Sequence, residues 1–278
     1  MIRKILNLIY EALSKMVGYK TIIDAYDLEG SAMSDEMSDA IDLWKDIYKD
    51  KSPWIDDIKG VYSLGLGKQI CQTMQQQVLS EMETSITAPG EDSETDQDTS
   101  DEKTTRARFL NEIYQKRIIK KLPDALEKAL ALGGMIIKPY MNDGNVYLDF
   151  TYQGDFCPLA FDDDGNIIDI AFFDQFTSGK YVFTKVERQT FSQKNKMVVI
   201  ENKAFKAEIK KSDDEEEQQL GKEIQLAEVE RWANISQEPV TIESVEKPLY
   251  GYFRVPISNN IDMKSPLGIS LFSPAVPL

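Results

Sequence analysis

Four carboxylates, Asp149, Asp155, Asp169 and Asp174, lie on or beside runs of alternating apolar and polar residues. Two or three such acids converging on Mg²⁺ or Mn²⁺ would make a metal-dependent hydrolase, the ion activating water. Alternation sets Asp149 on one strand face with Tyr147 and Thr151, a solvent-facing set. Acids scattered over such faces are also ordinary in antiparallel sheets. The chain has no histidine, which removes imidazole catalysis, the usual zinc sites, serine triads and papain-type thiol sites. Carboxylate chemistry remains open. Cys71 and Cys157 belong to no Cys-x-x-Cys pair and read as small buried apolar residues of a reducing compartment.

Two loops imitate ligand sites. "SLGLGK" suggests a phosphate loop, but Tyr62 stands where the first glycine belongs and Gln69 replaces the Ser/Thr after Gly67-Lys68. Its glycines read as a turn into the next helix. "FDDDGN" suggests calcium, yet with Gly165 at the sixth loop position the first is Ala160 and the twelfth Ala171, both lacking carboxylates. It reads as a tight hairpin turn. No residue is assigned a catalytic, cofactor-binding or metal-binding role.

The elements that would position these groups follow from periodicity. Ile2, Ile5, Leu6, Ile9, Leu13 and Met16 form a helical stripe suited to packing on protein. Met37, Ala40, Ile41, Trp44, Ile47 and Tyr48 form another, capped by Ser34. Leu66, Ile70, Met74, Val78 and Met82 make a row at four-residue spacing, with Cys71 beside it. Helix resumes at "TRARFLNEIYQKRIIKKLPDALEKALALGG", divided by Pro123 and stopped by Gly133-Gly134. Beyond Gly134 the period becomes two, with hairpin turns at Asp143-Gly144 and Asp164-Gly165 and two further strands joined through "SQKN". A short helix or irregular turn is expected around Trp232, and extended chain from Lys247. The fold class is α+β: helices first, then an antiparallel hairpin-rich sheet.

The division expected from sequence is a helical part over 1–133, a β part over 134–246 and an extended tail over 247–278. Net charge is −15, much of it in 88–105, read as a flexible acidic linker, and in the acidic loop 211–219. The densest basic run, "YQKRIIKK" at 114–121, reads as a solvated helix face rather than a duplex-binding surface. No apolar run approaches the ~18 residues of a membrane span.

One resemblance is more specific. "LALGGMIIKPYMNDGNVYLDFTYQGDFCPLAFDDDGNIIDIAFFDQ", "LGKEIQLAEVERWANI" and "KPLYGYFRVPISNNIDMKSPLGISLFSPA", with "LWKDIYKDKSPW" and "SLGLGKQICQTMQQQVLSEMETSI" ahead of them, resemble tailed-phage portal proteins. The type is that of long-tailed phages of Gram-positive hosts, also labelled minor capsid proteins. The resemblance rests on the order and spacing of blocks and covers most of the chain.

It implies the wing region of a structural, non-enzymatic subunit in a ring, commonly of twelve, at the capsid vertex of the virion. Implied partners are other portal subunits, the terminase packaging motor, capsid and head–tail connector proteins. DNA passes through the complete ring during packaging and ejection, and no membrane is involved. It also implies that Ser265-Pro266 starts a stem helix which this chain loses at Pro274, with stem, clip and crown missing. On that reading Leu267, Ile269, Leu271 and Phe272 form an uncovered apolar tail. A third reading makes residues 265–278 the partner-binding tail of an adaptor.

Overall fold

The computed structural model describes residues 25–26, 32–52, 54, 62–87, 97–142, 144–209 and 220–276. The N-terminal stripe and the acidic loop 211–219 lie outside them. Among the described residues, helices precede antiparallel sheets, so the chain is α+β, and no helix is long and apolar enough to cross a membrane.

Helix α1 (Asp35–Tyr48) buries Met37, Ala40, Ile41, Trp44 and Ile47, the stripe read from periodicity. The Met37 N–H donates to Ser34 Oγ at 3.3 Å, and Asp35 and Glu36 favour the positive end of the helix dipole. Helix α2 (Leu66–Glu81) follows Gly65, whose φ of 62° suits glycine. Helix α3 (Gln97–Ile113) passes through a π-turn, Tyr114–Ile118, into α4 (Leu122–Leu132). Pro123 opens α4, and Gly133 (φ 94°) closes it by donating its N–H to the Ala129 carbonyl at 2.8 Å. The stretch 88–105 is therefore not linker throughout: from Gln97 it is helical.

Among the described residues, nine strands follow. Strands β1 (Gly134–Asn142), β2 (Asn145–Tyr152) and β9 (Gly251–Arg254) form a sheet of order β2-β1-β9. The other sheet runs β3-β4-β5-β6-β7, comprising β3 (Phe156–Phe161), β4 (Ile167–Ser178), β5 (Tyr181–Ser192), β6 (Met197–Glu208) and β7 (Lys222–Ile224); β8 (Val240–Glu243) pairs with β6. Every pairing is antiparallel. Asn142 pairs with Asn145 and Phe161 with Ile167, so both expected hairpins form. Two 3₁₀ turns surround Trp232.

The chain divides into two compact units. One comprises Met1–Asp42, Gly154–Leu249 and Asn259–Pro266; the other comprises Leu43–Gln153, Tyr250–Ser258 and Leu267–Leu278. In the first, Cys157, Ala171, Val186, Phe205 and Leu220 form a core on one face of the large sheet. Tyr26 lies there, its hydroxyl donating to the Val186 carbonyl at 3.1 Å and its ring 4.6 Å from Lys203 Nζ. Trp232, Leu226, Val229 and Ala204 form a second cluster. In the other unit, Ala125, Ala129 and Met135 join α4 to β1.

The expected C-terminal helix is absent. Residues 266–270 have no helical hydrogen bonding, and only a 3₁₀ turn, Ser273–Ala275, follows. The apolar tail is not uncovered either: Leu267, Ile269 and Phe272 are buried in the second unit. Backbone packing overrides the local cap signal. The Gly133 Cα has room for no side chain, since an added Cβ would lie 2.5 Å from the Gly268 carbonyl oxygen. The Leu271 N–H donates to the Leu130 carbonyl at 2.8 Å, tying this strap to the end of α4.

Candidate functional site

The four acids do not converge. Asp149 belongs to the second unit and the other three to the first. Asp169 and Asp174 are five residues apart on β4, so the pleat sends them to opposite faces. Asp169 accepts from Arg188 on β5: Nε donates to Oδ1 at 3.0 Å and to Oδ2 at 3.2 Å, and Nη2 donates to Oδ2 at 2.6 Å. Glu201 adds a second carboxylate 3.8 Å from the guanidinium. The Asp169 bond holds the Arg188 pKa above its usual value, against the opposing effect of burial. Asp174 accepts from Trp232 Nε1 at 2.9 Å and pairs with Arg231 at 2.8 Å. These two carboxylates are thus engaged in cross-element pairs. Asp149 is exposed, with Thr151 Oγ1 3.5 Å away, and Asp155 sits in the bend before β3. Among the described residues, no three acidic or thiol side chains are grouped to hold a metal ion.

The "FDDDGN" loop is organised by its own first acid. Asp162 Oδ1 accepts the N–H groups of Asp164 at 3.1 Å and Asn166 at 2.7 Å, while Oδ2 accepts Asn166 Nδ2 at 3.0 Å. The Asn166 bonds hold the Asp162 pKa below the ordinary carboxylate value. Gly165 takes φ 79°. The chemistry is that of a turn fastened by an Asx side chain.

Cys71 is buried in the second unit, within electrostatic reach of Glu127. Burial pushes its thiol up to about 12, so at neutral pH it is protonated and a poor nucleophile. Glu127 on α4 accepts from Tyr48 Oη at 2.6 Å and from Gln72 Nε2 at 3.4 Å. Burial, then this bond, raises the Tyr48 pKa well above the usual tyrosine range. The "SLGLGK" glycines serve packing here: a Cβ on Gly67 would meet Ile47 Cγ2 at 3.0 Å and Phe272 Cε1 at 3.4 Å.

The feature with an open valence is the outer side of α2. Leu66, Ile70, Met74, Val78 and Met82 are between 36% and 58% exposed, while Cys71 on the same helix is buried. The sequence marks the row correctly as one face; it does not lie in the unit's core. Tyr62 and Leu64, just ahead of it, are also exposed. Between Lys68 and Glu81 the helix carries no charge, its exposed polar residues including Thr73, Gln76 and Gln77. Such a ridge is suited to binding protein rather than to chemistry.

Sequence reasoning missed the internal lock of the strap. The Tyr252 hydroxyl donates to Gln153 Oε1 and accepts the Gly268 N–H, both at 3.0 Å, and Gln153 Nε2 donates to the Gly268 carbonyl at 2.8 Å. No local spacing relates these three positions. No protein-family model matches the chain, and no curated protein matches it.

Proposed function

We propose that this chain is a structural subunit, the wing region of a tailed-phage portal ring at the capsid vertex. It acts there in DNA packaging, head–tail connection and genome ejection, without turnover of its own. The observation that carries this reading is the exposed apolar ridge of α2, a helix on which Cys71 is buried. A closed ring joins each subunit to the next through two different faces, and the ridge supplies one of them. The helices-then-hairpins order and the sequence blocks that resemble portal proteins support it further. Terminase, capsid and connector proteins are its partners on this reading, and the assembled product resides in the virion.

The test is assembly. Native mass spectrometry and negative-stain microscopy of the purified chain, at increasing concentration, should show a closed oligomer with a central channel. A monomer at every concentration overturns ring formation by this chain.

A further inference from the structure

Independently of the portal reading, we propose that the β1–β2 hairpin and the π-turn beside it bind single-stranded nucleic acid, with a base stacked on Tyr140. Tyr140 and Tyr147 are direct cross-strand partners. Their rings stack with centroids 5.6 Å apart, 24° from parallel. Arg117 lies against Tyr147, its Cζ 4.2 Å from the ring centroid. Arg117 belongs to the π-turn Tyr114–Ile118, and such turns within helices are frequent at functional sites. The pile of Arg117, Tyr147 and Tyr140 is open at its Tyr140 end. Strand β9 stops opposite Ile137, short of Tyr140, and Tyr140 is 47% exposed.

Charge selects the ligand. From Tyr114 to Leu122 the chain carries Lys116, Arg117, Lys120 and Lys121 and no acid. The three lysines are exposed. Lys121 also reaches the strand that bears Tyr147, its Nζ 3.5 Å from the Leu148 carbonyl and 5.7 Å from the Phe150 ring centroid. Two neighbouring acids stand opposite cations: Glu112 pairs with Lys116 at 3.1 Å, and Asp149 lies across from Lys138. Charges beyond about 8 Å are largely screened at physiological ionic strength. The local cations, rather than the chain's net −15, therefore act on a ligand at Tyr140. A basic side chain from a protein partner meets like charge here. A planar ring tethered to a phosphate meets both a stacking face and cations, the combination that holds single strands. In a duplex the base faces cover one another, so only unpaired bases can use the platform.

The experiment titrates the full chain into a fluorescently labelled oligothymidine of about ten nucleotides and follows anisotropy. Saturable binding is expected at about 50 mM salt, weaker at about 200 mM. Tyr140→Ala should weaken it about tenfold and Tyr140→Phe should restore it, since stacking needs the ring and not the hydroxyl. Lys120→Glu should weaken binding, whereas Lys194→Glu, an equal charge change at an exposed site in the other unit, should not. Melting temperatures establish that each variant is folded. No saturable binding, equal affinity in Tyr140→Ala, equal losses in the two lysine variants, or equal affinity for a duplex of the same length overturns the proposal. An arginine-rich peptide that binds where the oligonucleotide does not also overturns it. None of these outcomes bears on ring formation, which the assembly test decides separately.

Discussion

Gly133 and Gly268 meet backbone to backbone: a Cβ added to Gly133 would fall 2.5 Å from the Gly268 carbonyl oxygen. The reverse substitution meets the Gly133 carbonyl at least as hard, and backbone on each side prevents relief. Gly133 ends α4 in the left-handed region, and Gly268 lies in the strap that covers it. One contact thus joins a helix cap to a segment more than a hundred residues later.

Gly268→Ala should therefore destabilise the protein by about 3 kcal/mol, the upper range for overpacking. The urea midpoint reports it. Gly251→Ala, where an added Cβ meets nothing within 4 Å, is the control and should shift the midpoint little. Equal midpoints for the two variants would contradict the close approach.

Tyr252→Phe should cost about 1–2 kcal/mol, since the Gly268 N–H and Gln153 Oε1 lose their shared partner. The same hydroxyl makes the strap sensitive to alkali. Burial pushes Tyr252 up to about 12, above the ~10 of an unfolded tyrosine. A raised value means stability fully present below pH ~10 and lost as pH climbs toward the folded value. Denaturation at pH 8, 10 and 11 should show a wild-type advantage over Tyr252→Phe that shrinks over this window.

Asp169→Asn should lower stability by about 2–4 kcal/mol, because it removes the charge facing a mostly buried Arg188. A double-mutant cycle with Arg188→Gln should return a coupling of about 1–3 kcal/mol. Additive losses would show that the bidentate geometry carries no energy. Glu201, 3.8 Å from the same guanidinium, limits the loss in the Asp169 variant.

Acid should loosen the turn at Asp162 before the surrounding sheet. Hydrogen bonds from Asn166 depress the Asp162 pKa, so its contribution is present at neutral pH and lost as pH falls through the carboxylate range. The Asn166 amide, bound to Oδ1 at 2.7 Å, should lose exchange protection there first. In Asp162→Ala its protection should be weak at every pH.

The hairpins were legible because their chemistry is local. Asn142–Asn145 and Asp162–Asn166 carry turn residues at the spacing the backbone needs, flanked by alternation. The caps of α1 and α4 were legible for the same reason. The period of Leu66, Ile70, Met74, Val78 and Met82 revealed a helix with an apolar side, but period says nothing of which surface covers that side. Ser265-Pro266 misled because a good cap signal competes with a tertiary fit that only Gly133, Tyr252 and Gln153 together provide. Strands β7 and β8, at three and four residues, are too short to establish alternation; β6 recruits them. Of the candidate acids, alternation gave a face for Asp149, while Arg188, Arg231 and Trp232 were set against Asp169 and Asp174 by register and chain return.

The interleaved course of the chain has a consequence for biosynthesis. The large antiparallel meander from Gly154 to Leu249 is continuous and rich in near-neighbour pairings, so it can condense while still emerging from the ribosome. The helical unit must wait: α4 and β1 are made early, but the tyrosine and glycine that seal them arrive at positions 252 and 268. During that interval the nascent helices expose the surface that Phe272 will cover.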